Sequence, residues 1–380
     1  MIEKPLILVI VGVTGDLARQ KLLPAIEAIA GAGVFPARTT ILGTTRREGV
    51  TLDDLSPFVQ EHLELFTLDT DDRAGYTRLA ERLVALEEGE PAQRLFYMSV
   101  PPNAVSPIVT HMGAAGLAQP GTKLLLEKPF GTDLASATEL ITHVEQYFTA
   151  EQVYRIDHYL AKQMVQNLLS FRRETTWNNQ SIERIEISAR EIIGAKGRAH
   201  FYEQTGALRD VLQSHLLQLA ALVLMRLDES VSIPERRTNA LATLTLAPGA
   251  AIRRGQYRGY RDDVANPAST TETYVDLTLV SSAPEWQGVR VRLVTGKMLA
   301  EKDTAIHIRY KNDMAPEAAF TSTDPDAYEK VLVEALRSDH ALFVSSAEVI
   351  ESWRILAPVQ ERWARSSDDL FFYTPGDPTL

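Results

Sequence analysis

Two short stretches of this sequence hold residue types that suit catalysis and anion binding. Arg155, Ile156, Asp157, His158, Tyr159, Leu160, Ala161 and Lys162 bring a carboxylate, an imidazole, a phenol and an ammonium together. His158, Tyr159 and Lys162 can grip a phosphate by charge and hydroxyl donation. The other stretch, from Gly12 through Thr14, Gly15, Asp16 and Leu17 to Ala18, has small residues at 12, 15 and 18. These permit a tight turn, close approach of the backbone to a pyrophosphate, and close helix–strand packing. Free N–H groups and the dipole of a helix start would then favour phosphates, although the same glycines also suit an ordinary strand-to-helix turn. Arg46 and Arg47 follow Gly43, Thr44 and Thr45, where a NAD-specific domain usually places a carboxylate for the ribose 2′-OH. Arginine there suits a 2′-phosphate, hence NADP; the plainer reading is a solvated pair at a strand end. His215 lies five residues after Asp210 in the apolar helical stretch Leu208–Leu227, a setting more common for a packed histidine. Thr295, Gly296, Lys297 and Lys302 read as an exposed strand end.

These groups need elements to hold them. Up to about residue 157, short apolar runs alternate with helical spacing. Leu6–Val11, Thr40–Gly43, Leu63–Leu68, Arg94–Ser99, Lys123–Leu126 and Gln152–Ile156 read as buried strands, with helices at about 16–30, 52–62, 73–88, 103–117 and 133–147. The alternation predicts an α/β domain over 1–157, a doubly wound parallel sheet whose ligands bind outside the carboxyl ends of its strands. Beyond it comes a helix to about 173 and a long alternating run, Ile182–Ile193. Helical spacing over 208–227 leads to alternating runs Ala251–Tyr257, Glu272–Ser281, Gly288–Gly296 and Thr304–Tyr310, then helices near 325–338 and 346–364. This predicts an α+β domain over 158–380 with a large, mostly antiparallel sheet.

Composition excludes several classes. With 380 residues, 45% hydrophobic and 23% charged, the chain suits two folded domains and not a disordered chain or a fibre. A net charge of −11, from 39 Lys plus Arg against 50 Asp plus Glu, opposes nucleic acid and anionic membranes as partners. The absence of cysteine removes disulfides, thiolate metal sites and thiol nucleophiles together, and no metal is expected. The apolar run after Met1 is too short for a signal peptide, and the best internal one, Leu216–Met225, falls short of the ~18 residues of a membrane span, so the expected location is the cytoplasm.

The blocks GVTGDLARQKLLP (12–24), FYMSVPP (96–102), EKPFGTD (127–133), YRIDHYLAKQMVQNLL (154–169), GALRDVLQSHLLQ (206–218) and VTGKMLAEKDT (294–304) together closely resemble the glucose-6-phosphate dehydrogenase family. The resemblance implies a Rossmann NADP-binding domain followed by a substrate-binding and dimerisation domain. It implies oxidation of a small sugar phosphate, glucose 6-phosphate, at C1 with hydride transfer to NADP+, the entry to the pentose phosphate pathway. By the family pattern His215 is the general base, and Asp157 the carboxylate that orients it and stabilises its cation. His158, Tyr159 and Lys162 match the substrate phosphate site, and Glu191 and Asp210 match positions that hold sugar hydroxyls. Lys297 and Lys302 match further substrate lysines. Lys128 lies between nicotinamide and sugar, Pro129 matches a hinge proline, and Lys21 a lysine near the phosphates. Gly12, Thr14, Gly15, Asp16, Leu17, Arg46 and Lys128 form the cofactor set. The alternatives are a relative acting on another hexose or amino-sugar phosphate, and a non-catalytic regulatory relative; retention of the base and its carboxylate argues against the latter.

This chain departs from the pattern at Val13, Ala161 and Gln163, and more seriously after Arg309–Tyr310. There a long run of strands usual in the family is missing, and about fifteen residues lead directly to Asp326 and the late helix. The expectation is a homodimer through the second sheet, with no second, structural NADP.

Overall fold

The computed structural model describes residues 4–53, 55–311, 317–322 and 327–380, which group into two compact units. The first unit contains Met1–Phe130, Thr138–His158 and Asp326–Ser346. Its sheet is built on six parallel strands: β1 (Leu6–Val11), β2 (Thr39–Thr45), β3 (Leu63–Thr67), β4 (Gln93–Met98), β5 (Thr122–Leu126) and β6 (Val153–Ile156). They lie in the order β3-β2-β1-β4-β5-β6, which reverses direction between β1 and β4. Every residue of β1 is buried, as a parallel strand covered on both faces requires. The helix expected at 52–62 is confined to Pro57–His62, where Ser56 caps the start by accepting from the Val59 N–H and Pro57 presets the first turn.

The second unit contains Gly131–Ala137, Tyr159–Pro325 and Ala347–Leu380. Its sheet uses β7 (Ile182–Arg190), β8 (Leu244–Leu246), β9 (Arg253–Tyr257), β10 (Tyr274–Ser281), β11 (Arg290–Gly296), β12 (Asp303–Tyr310) and β13 (Ala318–Thr321). The pairing is antiparallel except where β11 runs parallel to β7 and where the C-terminal strand runs parallel to β9. Alternation sorts its faces: Ile185, Ile187, Val275, Leu277, Leu279, Val291, Leu293, Ile306 and Ile308 are all buried. The segment Leu208–Leu216 packs on β7, β10 and β11.

Three features differ from the sequence reading. The late helix, Tyr328–Leu336, belongs to the first unit and not to a continuous 158–380 domain. Lys123 Nζ donates to the carbonyls of Ala335 and Leu336 at its end, at 2.5 and 3.1 Å, and Gln93 Nε2 donates to Leu336 O. The chain then adds β14 (Phe343–Val344) antiparallel to β6. Conversely, Gly131–Ala137 joins the second unit, where Arg209 Nε and Gln360 Nε2 both donate to Thr132 O. Finally, the helix Ile233–Ala242 and the short strands β8, β13, β14 and β15 (Leu370–Tyr373) lie outside the sequence reading. The strands have two to four residues each, too few for alternation to register.

Candidate active site

In the first unit the parallel strands end along one edge, and the residues after them include Gly12, Arg46, Ser99, Glu127 with Lys128, and Asp157 with His158. At the point where strand order reverses, a cavity of about 450 Å³ is lined by Gly12, Thr14, Gly15, Arg46, Ser99 and Asn103, among others. Gly12 has φ +87°, and a Cβ there would stand 2.6 Å from the Ser99 carbonyl oxygen. Only glycine fits on both counts. The turn is tied to β2: Gly12 N donates to Thr44 Oγ1 at 3.2 Å and Val13 N to Thr44 O at 3.1 Å. Val13 is buried against Gly43, where a Cβ would come within 2.8 Å of its methyl, so the missing side chain at 43 makes room for the larger residue at 13. Thr14 and Asp16 are exposed, and Leu17 is half-buried at the helix start. The arrangement fits a dinucleotide: a side-chain-free turn under a helix N-terminus leaves room for a pyrophosphate, and exposed Arg46 stands on the same cavity. Lys128 is half-buried after β5 and precedes Pro129 through a cis peptide; Asp157 is buried and His158 half-buried after β6.

In the second unit, Tyr159 and His215 stack with ring centroids 4.1 Å apart and planes 10° from parallel. Lys162 Nζ stands 4.8 Å from the centroid of the same Tyr159 ring. The structure therefore brings Tyr159, Lys162 and His215 together. His215 is buried, and it is carried on a special backbone: Leu208–Leu216 is a π-helix. In an α-helix, residues five apart point about 140° from one another, whereas the wider turn of a π-helix, with its i→i+5 bonding, brings them to within roughly 50°. Asp210 and His215 thus share a face.

The start of the π-helix is set by two residues that sequence reasoning missed. Gly206 adopts φ +62°, ψ −178°, a region open essentially to glycine, and a Cβ there would lie 2.3 Å from Glu272 Oε1. Glu272 accepts from Leu208 N through that oxygen at 2.9 Å and from Ala207 N through its backbone carbonyl at 3.0 Å. Burial pushes its carboxyl above the usual range.

Lys297 is not the exposed strand-end group read from sequence. Its ammonium pairs with Glu191 and stands 5.0 Å from the centre of the Tyr202 ring. Tyr202 is a third residue that sequence reasoning missed; burial, then the charges of Asp210, Glu272 and Glu191, hold its phenol far above its usual pKa. Glu191, Lys297 and Tyr202 therefore form a second group, with the charge of Asp210 felt at the same phenol, and Lys302 stands exposed just before β12.

Models of the two domains of one family match nearly the whole chain: "Glucose-6-phosphate dehydrogenase, NAD binding domain" at residues 9–62 and 51–167, and "Glucose-6-phosphate dehydrogenase, C-terminal domain" at 169–318 and 313–378. The chain belongs to the glucose-6-phosphate dehydrogenase family. A glucose-6-phosphate 1-dehydrogenase from Chlamydia pneumoniae is 31% identical, covering 97% of this chain and 91% of the relative. The crystal structure of glucose-6-phosphate 1-dehydrogenase from Mycobacterium avium superimposes with a TM-score of 0.85 at 28% identity, over 98% of this chain and 94% of that one. A glucose-6-phosphate dehydrogenase solved in complex with glucose 6-phosphate shares the fold, with a TM-score of 0.86 at 23% identity over 98% of this chain and 95% of that one. The alignment with the Chlamydia relative runs over 466 positions, more than the 380 residues here, and the C-terminal family model is interrupted at 313–318. The NAD-binding model is likewise split, at 51–62; the break in the C-terminal model lies after β12, where the family pattern breaks off. Members of the family bind a nicotinamide dinucleotide, and the first unit has the fold and cavity for one.

Proposed function

We propose that this chain is a glucose-6-phosphate 1-dehydrogenase that oxidises D-glucose 6-phosphate at C1 to 6-phospho-D-glucono-1,5-lactone and reduces NADP+. The observation that carries the reading is the stack of His215 on Tyr159 with Lys162 over the same ring, on a chain whose first unit has a dinucleotide cavity. The cofactor, when bound, accepts the hydride that leaves C1. An imidazole nitrogen of His215 takes the proton of the C1 hydroxyl as the C1=O bond forms, a task suited to a base with pKa near neutrality. Asp157 keeps its role as orienting carboxylate on its match to the family pattern. Lys162, with His158 and Tyr159, holds the phosphate by charge-assisted bonds. Asp210 and Glu191 accept hydrogen bonds from sugar hydroxyls, Lys297 and Lys302 supply further cationic contacts, and Lys128 serves sugar and nicotinamide. Arg46 pairs with the 2′-phosphate and makes NADP the preferred cofactor; Gly12, Thr14, Gly15, Asp16 and Leu17 receive the pyrophosphate. The protein pairs as a homodimer through its second sheet in this reading.

The test follows reduced-nicotinamide absorbance with glucose 6-phosphate, its epimers, glucosamine 6-phosphate and free glucose, each with NADP+ and NAD+. The expected result is the highest kcat/KM with glucose 6-phosphate and NADP+. A higher value with another sugar phosphate overturns the substrate, and turnover with none overturns the activity.

A further inference from the structure

The turn that presents Lys297 is fastened by the C-terminal strand, a part of the chain outside every block that carries the family resemblance. After β11 ends at Gly296, Lys297 and Met298 turn the chain, and Met298 has φ +53°. A residue with a side chain persists in that left-handed region only where its surroundings over-determine it, and such positions cluster at ligand clamps. Three hydrogen bonds fix the backbone here. Lys297 N donates to Thr273 O at 2.8 Å, Tyr373 Oη donates to Lys297 O at 2.7 Å, and Gly376 N donates to Met298 O at 2.8 Å. On its other side the turn is laced to Glu191: Glu191 N donates to Gly296 O at 2.9 Å and Leu299 N to Glu191 O at 3.0 Å.

The Tyr373 phenol is well placed to act as a donor. It is 3% exposed, and burial pushes its pKa upward, so it keeps its proton. The Thr273 hydroxyl lies 2.8 Å from Tyr373 Oη and itself accepts from Tyr257 N at 2.9 Å. Thr273 can therefore donate to the phenol oxygen while the phenol proton goes to the nearer of its two carbonyls, Lys297 O at 2.7 Å against Thr273 O at 3.2 Å.

We propose that Tyr373 is a positioning residue for Lys297: by holding the Lys297 carbonyl, the C-terminal strand aims the lysine ammonium at the phosphorylated sugar. The inference rests on the reading above that Lys297 contacts the substrate. It assigns to residues 370–376 a part in substrate affinity and none in the chemical step.

Four variants test it: Tyr373→Phe, Lys297→Ala, the double variant, and Phe372→Ala. Phe372 is 44% exposed on the same strand and serves as the control for strand damage. Tyr373→Phe is expected to raise KM for glucose 6-phosphate about three- to tenfold, the effect of losing one ordinary hydrogen bond, with kcat and the KM for NADP+ within twofold of wild type. Because the effect passes through Lys297, the double variant should match Lys297→Ala instead of multiplying the two losses. Phe372→Ala should leave KM unchanged. If Lys297→Ala raises KM while Tyr373→Phe does not, or if the two losses multiply, positioning is overturned and the substrate role of Lys297 stands. If Lys297→Ala leaves KM unchanged, the substrate role itself falls, and the inference with it. Thermal melts accompany each variant. Should Tyr373→Phe fail to fold, Thr273→Val, which removes the hydroxyl that orients the phenol, carries the same test with a smaller expected rise, and an unchanged KM there overturns the proposal.

Discussion

A histidine in an apolar helical stretch is by itself uninformative, and only the family pattern singled out His215. The structure supplies a physical reason: its ring lies flat on Tyr159, and the same phenol ring has the Lys162 ammonium beside it. Two kinetic signatures separate these neighbours. His215→Asn should leave KM roughly intact and lower kcat by ~10²–10⁴ or more, the range for losing a general base; near wild-type turnover would reject the assignment. Lys162→Ala should instead raise KM for glucose 6-phosphate by roughly 10–150-fold through loss of a charge-assisted bond, while oxidation of free glucose hardly changes. Equal losses for both sugars would place Lys162 elsewhere. At this scale, chemistry-bearing types in a short block, as in Asp157–Lys162, were legible in the sequence. The local pattern at Lys297 read only as an exposed strand end, because its partner, Glu191, is more than a hundred positions away and nothing nearby announces that the lysine will be drawn inward.

Elements with a long period were legible as well. The six parallel strands and the alternating runs of the second sheet stand close to where their apolar patterns put them, since burial on one or both faces constrains every second or every residue. What the pattern could not show is the type of helix. Apolar residues over 208–227 fit an α-helix and a π-helix alike; the difference is fixed by Gly206 and Glu272, whose approach exists only once β10 is in place. This makes a sharp expectation. Gly206→Ala forces a Cβ into a glycine-only conformation and against a buried carboxyl, so stability should fall by at least about 2 kcal/mol, with kcat falling as the face carrying Asp210 and His215 is displaced. Adding Glu272→Ala removes the clash but not the backbone strain, so the double variant should regain part of the melting temperature lost by Gly206→Ala. Two losses that simply add would show that the carboxyl and the glycine act independently.

At the scale of the molecule, the late helix shows the limit of reading a chain in order. Sequence position assigns it to the second domain, but two carbonyls at its end are held by Lys123 of β5, and β14 then completes the first sheet. The shortening after β12 bears on assembly in a similar way. Loss of strands would expose an edge, but β13 takes the place beside β12, and the outer strands β13 and β15 have only four residues each, so little backbone edge is offered. A homodimer through this sheet, as expected, would then use the face opposite the buried aliphatic one. By register that face carries Arg184, Glu186, Arg190, Arg253, Asp276, Arg290, Arg292, Asp303 and Arg309. Its three carboxylates are spoken for within the chain: Arg292 donates to both oxygens of Asp276 at 3.0 and 2.8 Å and to Glu186 at 2.9 Å, and Arg190 reaches Asp303 at 3.6 Å. Arg309 pairs with Glu183 beside it at 3.2 Å and Arg253 reaches Asp276 at 3.6 Å, but Arg184 and Arg290 are exposed as well, and the excess of arginine over these carboxylates leaves the face basic on a chain whose net charge is −11. Two such faces meeting across a two-fold axis repel at long range, and salt screens that repulsion with a Debye length of about 10 Å at 0.1 M. The expected homodimer should therefore tighten as ionic strength rises, the reverse of an interface built on opposite charges. Light scattering over a dilution series at low and high salt measures this. A dissociation constant that rises with salt would move the contact off this face, and a monomer at every concentration and salt level would remove the dimer altogether.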